Sequence, residues 1–212
     1  MTTAAAAESD TDDTDDIHGT HGTHGTGTGR PTALHGRLVA LAPLDVDDAE
    51  LLHGWRSDAT AVHEIGIWPR PLSALRARVE RDVDNNDRDD FLILLPDGTP
   101  VGHCAVFEQD FADGSAELEL MLAPEHRRRG LAVDALRTLT DLAFGELPLH
   151  RLEANTHTTN AAALGTLAAA GFTREGVRRE ACMHRGRRHD IAVLGLLRPE
   201  WEAQDRPRAW DV

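Results

Sequence analysis

The chain has 212 residues, enough for one domain with a sizeable core and too few for two comfortable ones. Its 36 acids against 22 basic residues give a formal net charge of −14, which argues against nucleic acid as the main partner and favours amine or cationic substrates through steering. No apolar run of about 18 residues predicts a membrane span, and no basic-then-apolar leader opens the chain. The two cysteines, Cys104 and Cys182, form no C-x-x-C pair and suit a reduced, cytoplasmic setting. Every basic residue is arginine and there is no tyrosine, so no step can use an ε-amine or a phenol from this chain.

Residues 1–30 lack an apolar face and are expected to be a disordered tail. They hold the acids Glu8, Asp10, Asp12, Asp13, Asp15 and Asp16, then a His18-Gly-Thr repeat running to Thr26. Three histidines there could hold a metal only weakly, because nothing fixes their geometry; a polar tail is the favoured reading. Arg37–Pro43 reads as a first strand. Asp45–Ser57 reads as a helix with acids in its first turn, and Pro71 to about Asn85 as a second with Ser73 as its cap. Phe91–Leu95 and Val101–Phe107 are strands, each followed by an Asp-Gly turn signal at Asp97-Gly98 and Asp113-Gly114. A fourth strand, Ala116–Leu122, leads through an arginine-rich turn to a helix from Gly130 to about Phe144, burying Leu131, Ala135, Leu139 and Leu142. Arg151–Thr156 is a fifth strand, and Asn160–Ala170 an alanine-rich helix stopped by Gly171. A hairpin of Gly176–Met183 and Asp190–Leu197 turns near Arg185-Gly186. The whole reads as a mixed α/β domain.

The most informative stretch is Glu119–Leu136, an apolar strand, a turn and an amphipathic helix. Arg127, Gly130 and Ala132 form an R-x-x-G-x-A pattern. Glycine allows close backbone approach, and a helix starting there aims free N–H groups and its positive dipole end into the turn. Such a turn suits an anion, with pyrophosphate a natural candidate. The pattern alone is weak; its strand–turn–helix context strengthens it.

This stretch resembles motif A of the GNAT acyltransferases. The likeness continues through His150–Thr156, through Asn160–Phe172 with the family's spacing from Asn to Gly-Phe, and through Arg174–Arg179, Gly186–Asp190 and Leu196–Trp201. These tail segments are similar to the Rim branch, which contains ribosomal-protein N-terminal acetyltransferases and relatives acting on small amines. The likeness covers roughly residues 34–201. It implies a central, mixed, largely antiparallel seven-stranded sheet flanked by about four helices in a domain of residues 31–203, with 204–212 a short C-terminal tail. It also implies acetyl-CoA as co-substrate and no metal. The acceptor would be a primary amine on a small molecule, an antibiotic or a peptide N-terminus, with no nucleic acid or membrane partner and a homodimer left open.

On the fourth strand, Glu117, Glu119 and Met121 share one face by period-two geometry, and Leu118, Leu120 and Leu122 the core face. Paired carboxylates on a central strand are costly to bury. They either meet an open cleft or serve an amine, with one carboxyl raised by the other toward neutral pH as a base. The resemblance places a general-base glutamate at Glu117; at Glu119 Rim-type relatives usually have glycine. It assigns the coenzyme to the Met121 and Leu122 backbone, to Arg127, Arg128, Arg129, Gly130, Leu131 and Ala132, and to Asn160. Asn160 also reads simply as a helix cap, and the arginines as a solvated turn. Where many GNAT enzymes carry a tyrosine that protonates the leaving thiolate, this chain has Leu167. The thiolate then leaves unassisted, through water, or through Ser115 or Cys182. Asn155 and His157 share a strand face and either line the cleft or meet solvent; His103 beside Cys104 reads as structural. Trp55–Trp68 and Ala181–His189 are the segments expected to shape the acceptor pocket. The competing reading is a non-catalytic coenzyme-binding regulator, favoured by the missing tyrosine.

Overall fold

A computed structural model describes residues 30–57, 68–82 and 85–211. The histidine repeat, the acidic run and most of the Trp55–Trp68 segment lie outside the described residues.

Alternating strand patterns close into one eight-stranded sheet. Its strands are β1 (Leu34–His35), β2 (Ala40–Pro43), β3 (Arg88–Leu94), β4 (Pro100–Asp110), β5 (Ser115–Leu122), β6 (Arg151–His157), β7 (Thr173–His184) and β8 (Arg187–Leu197). They lie in the order β1-β2-β3-β4-β5-β6-β8-β7. Neighbours are antiparallel everywhere except β5 and β6, which run parallel. The strand beyond the seven expected is β1, whose two residues are too few to leave a period-two signal. The β7–β8 turn falls at Arg185-Gly186, both with positive φ (48° and 72°), the conformation that tight hairpins require.

Among the described residues five helices cover the sheet: α1 (Ala49–Ser57), α2 (Leu72–Asp82), α3 (Leu131–Glu146), α4 (Ala161–Ala169) and α5 (Arg198–Glu202). The first helical segment opens with a 3-10 turn over Val46–Asp48, capped by Asp45. Asp45 accepts from the Asp47 N–H at 3.2 Å, and Asp48 accepts from the Asp45 N–H at 2.8 Å. Ser73 is not a cap: it lies inside α2, because Pro71 already supplies the carbonyl that receives the Ala74 N–H. On α3, Leu131, Ala135, Leu136, Leu139, Ala143 and Phe144 recur at helical spacing and enter the main core, with Leu142 at its margin. They meet Ala116, Leu118 and Leu122 of β5 and Leu152, Leu194 and Leu196 of the neighbouring strands. Burying each such leucine or phenylalanine stabilises the fold by about 1.5–3 kcal/mol. The opposite sheet face holds a smaller cluster under α1 and α2, with Leu52, Trp55, Leu75, Val79, Leu92 and Met121.

Residues 204–211, read from sequence as a short tail, are docked on α3. The reason is Asp141, 1% exposed on that helix. It accepts from Trp201 Nε1 (2.7 Å), from Arg206 Nη2 (2.6 Å) and Nη1 (2.9 Å), and from the Ala209 N–H (2.8 Å). The Arg208 guanidinium stacks 4.3 Å over the Trp201 ring. A carboxylate so buried requires this full set of donors.

Candidate active site

The site begins where a ladder stops. β5 and β6 pair only through Ser115–Arg151, Ala116–Leu152 and Glu117–Glu153, although β5 continues to Leu122 and β6 to His157. Beyond Glu117 the two strands therefore part. α3 starts shortly after the end of β5, and α4 shortly after the end of β6. Two helix N-termini thus flank the open end of the cleft, where the dipole and unpaired N–H groups favour an anion.

The arginine turn lies at that end. Arg128 and Gly130 both take left-handed backbone (φ 60° and 79°), and Gly130 caps α3. Alternation of this kind turns successive N–H groups into a concavity suited to an anion. A side chain placed at Gly130 would meet only Leu38 Cδ1, at 3.6 Å, so the surface above it is open. Asp134 supports the turn from the first turn of α3, accepting from the Leu38 N–H at 2.7 Å and the Val39 N–H at 3.1 Å. Arg127 Nε donates to the Leu122 carbonyl at 3.2 Å, tying the turn to the strand end. Arg128 and Arg129 are exposed, with Arg129 Nη1 3.3 Å from His126 Nδ1. Leu131 is buried and Ala132 packs at the core margin, so these two can offer only backbone to a ligand. Met121 and Leu122 likewise have buried side chains. Asn160 caps α4, accepting from the Ala163 N–H at 3.0 Å. Leu167 is a core residue.

The two glutamates of β5 share a face, as their spacing requires, but differ in environment. Glu117 sits at the point of parting and accepts from Asn155 Nδ2 of β6 at 3.1 Å. The other amide atom, Asn155 Oδ1, is a buried acceptor with no hydrogen-bond partner among the described residues. Glu119 is held in an ion cluster. Arg56 of α1 pairs with it through Nη2, Arg88 Nη2 lies 3.5 Å away, and His103 Nδ1 3.7 Å away. Arg88 also binds Asp90 (Nε–Oδ2 2.5 Å), and His103 Nε2 meets Asp90 at 2.6 Å. Burial alone would push the Glu119 carboxyl up; His103, Arg56, Arg88 and Arg78 outweigh it and hold the group below the ordinary glutamate value. Asp90 is likewise lowered, its burial overruled by hydrogen bonds from His103 and Arg88. The expectation that neighbouring carboxylates raise one another thus fails at Glu119, because His103 and the surrounding guanidiniums outweigh the nearby carboxylates.

His103 is fully buried within this cluster, and Cys104 is buried in the main core with its thiol pushed up by desolvation, so neither is placed for metal chemistry. Among the described residues no His, Cys, Asp and Glu group is arranged to hold a metal ion. Cys182 of β7 lies 3.5 Å from His157 Nε2 and Ser115 two residues before Glu117. Asn155 is the partner that sequence left undecided. Arg56 and Arg88 were missed altogether; they are 63 and 31 residues from Glu119, and no local pattern links them to it.

Comparison with known proteins supplies the family. Residues 38–173 match the acetyltransferase (GNAT) domain model. The probable N-acetyltransferase YjcK of Bacillus subtilis is 28% identical over 182 residues, spanning 80% of this chain and 99% of that protein. The putative ribosomal N-acetyltransferase YdaF of the same organism is 31% identical over 111 residues, 52% of this chain and 61% of its own length. In fold, the chain resembles the Vibrio cholerae spermidine N-acetyltransferase solved with CoA and spermine. Its TM-score is 0.75 at 21% identity, over 78% of this chain and 98% of that one. The chain belongs to the GNAT family of acetyltransferases.

Proposed function

We propose that the protein transfers the acetyl group of acetyl-CoA to a primary amine by direct attack within a ternary complex, with Glu117 as the proton acceptor. The observation that carries this reading is the parting of β5 and β6. A carboxylate stands at its apex, and a left-handed, arginine-bearing turn at its open end. Arg127, Arg128, Arg129 and the N–H groups around Gly130 would hold the pyrophosphate. The Asn160 amide and the Met121 and Leu122 backbone would hold the pantetheine arm. A strand edge freed from its ladder leaves main-chain groups for such an arm to bond.

Chemically the step needs a neutral amine, held against the thioester carbon. The ammonium proton passes to Glu117, directly or through a water. Asn155 Oδ1, an unsatisfied acceptor beside that carboxylate, suits a second N–H of the same amine. The nitrogen lone pair forms the C–N bond, the tetrahedral oxyanion collapses, and the C–S bond breaks to release the thiolate. The amine's second proton, lost on amide formation, matches the one the thiolate takes up. Leu167 provides no acid for it, which favours departure unassisted or through water.

The same leucine is the one feature favouring a coenzyme-binding regulator without chemistry. A thiol-release assay with acetyl-CoA and an amine panel, read also by mass, separates the two. Amine-dependent release with a matching acetylated product supports the transferase; tight CoA binding without release across the panel supports the regulator.

A further inference from the structure

The chain as a whole is strongly acidic, yet the β7–β8 hairpin is basic. Between Thr173 and Leu197 it carries Arg174, Arg178, Arg179, Arg185, Arg187 and Arg188 against Glu175, Glu180 and Asp190. All six arginines are exposed, and none has an ion-pair partner among the described residues. Of the acids, Glu175 is already paired with Arg151. The register shows where this charge faces. Glu153 pairs with Gly195, Asn155 with Val193 and His157 with Ile191, so residues 187, 189, 191, 193 and 195 share the Glu117 face of the sheet. Arg178 pairs with Ile191 and Cys182 with His189, so Arg178 and Arg187 lie on that face and Arg174 and Arg188 on the other. His157 stacks on His189 at 5.2 Å and touches Cys182, making a continuous strip from Glu117 and Asn155 to the hairpin.

Resting on the transferase reading, we infer that the acceptor is the free N-terminus of a peptide segment carrying acidic residues several positions downstream, which Arg178 and Arg187 receive. Strand spacings of about 4.8 Å and rises of about 3.3 Å per residue put Arg178 roughly 20 Å from Glu117 and Arg187 nearly 30 Å. An extended peptide covers those spans in about six to eight residues; a single amino acid or other small acid does not. A polyamine finds no such welcome: the carboxylates Glu119 and Asp90 on the same face are already paired with Arg56 and Arg88. A nucleic acid would bring an extended polyanion against a chain of net charge −14. If the arginines merely guarded an exposed edge strand from pairing, removing the pair on either face would have the same effect.

The test uses the full chain loaded with CoA and three dye-labelled peptides with the same neutral first three residues. Positions four to eight are acidic, neutral or basic. Anisotropy gives binding and thiol release gives kcat/KM. The acidic peptide should bind roughly 10-fold more tightly than the neutral one at low salt, with the advantage lost at 0.5 M salt (about 4 Å Debye length). Arg178→Ser with Arg187→Ser should abolish the preference. Arg174→Ser with Arg188→Ser, which removes the same charge from the other face, should keep most of it. CoA-induced stabilisation serves as the folding control for both pairs. Equal loss in both variant pairs, no preference for the acidic peptide, or displacement by single-stranded RNA or spermidine at lower concentration would overturn the inference. So would a gain in acidic-peptide binding on deleting residues 1–29, since the surface would then serve the chain's own acidic run. Because binding is read apart from turnover, peptide binding without thiol release would sink the transferase reading and leave the docking surface standing.

Discussion

The two faces of the sheet are drawn from alternate residues of the same strands, and they are built on opposite physics. Toward α3 and α4 the odd-and-even register delivers Leu118, Leu122, Leu152, Leu194 and Leu196 to a continuous apolar core. Toward α1 and α2 the next residues along are Glu117, Glu119, Arg88, Asp90, His103 and Asn155, with apolar packing only at one end. The first face stabilises by area removed from water. The second buries charge at a cost that only complete pairing offsets. Even there the residues divide: Glu119 is fully engaged and Glu117 is held by one amide. In the proposed mechanism the carboxylate with spare capacity at the cleft is the one assigned to the amine.

The sharpest way to break this contrast is kinetic. Glu117→Gln is expected to lower turnover by about 10²–10⁴-fold with CoA affinity barely changed, the usual range for a general base. Glu119→Gln should change turnover less and melting temperature more, since it strips charge from a cluster holding Arg56 and Arg88. A more damaging Glu119→Gln in the same thiol-release assay would move the base two residues along β5; if neither matters, the amine arrives neutral and positioning alone does the work.

Next in size is the charged exception on the apolar side. Asp141→Ala should destabilise by about 3–5 kcal/mol, the cost of leaving the half-buried Arg206 and buried Trp201 donors unpaired. Thermal melts should show it as a loss on the order of 6–20 °C, with kcat per folded molecule unchanged. A small shift would mean that residues 204–211 contribute little to the fold.

Gly130→Val tests the mouth of the cleft. At φ 79° a β-branched residue is strained by about 1–3 kcal/mol, and its side chain stands where the pyrophosphate would approach. CoA affinity by calorimetry should fall on the order of 10-fold or more, with Gly130→Ala intermediate. Unchanged affinity in a folded variant would remove the turn from the coenzyme site.

The smallest effect concerns pH. Glu119 and Asp90 have folded values below their unfolded ones, so the stability they contribute is present above the unfolded carboxylate range of about 4. It is lost as pH falls from there toward the folded values. Melting temperature from pH 7 down to 3 should hold through about pH 5 and drop below about 4, and Arg56→Met should blunt that drop. A wild-type drop already complete at pH 5 would contradict the lowered values.

Sequence by itself determined what depends on near neighbours. The period of two in Ala116–Leu122 and of 3.6 in Leu131–Phe144, the Arg185-Gly186 turn, and the glycine opening α3 are each written within about a dozen residues, and each is where it was read. The pairing of Glu117 with Glu119 on one face belongs to the same class. What separated those two glutamates came from α1, β3 and β6, through Arg56, Arg88 and Asn155. The docking of residues 204–211 came likewise from Asp141, more than sixty positions away. Long side chains carry no periodic trace of their partners, and a carboxylate reads the same in sequence whether it will meet a guanidinium or a cleft. Local geometry is set by the chain's own covalent repeat, whereas the electrostatics that decide which acid can act are set by whichever charges folding brings within a few ångströms.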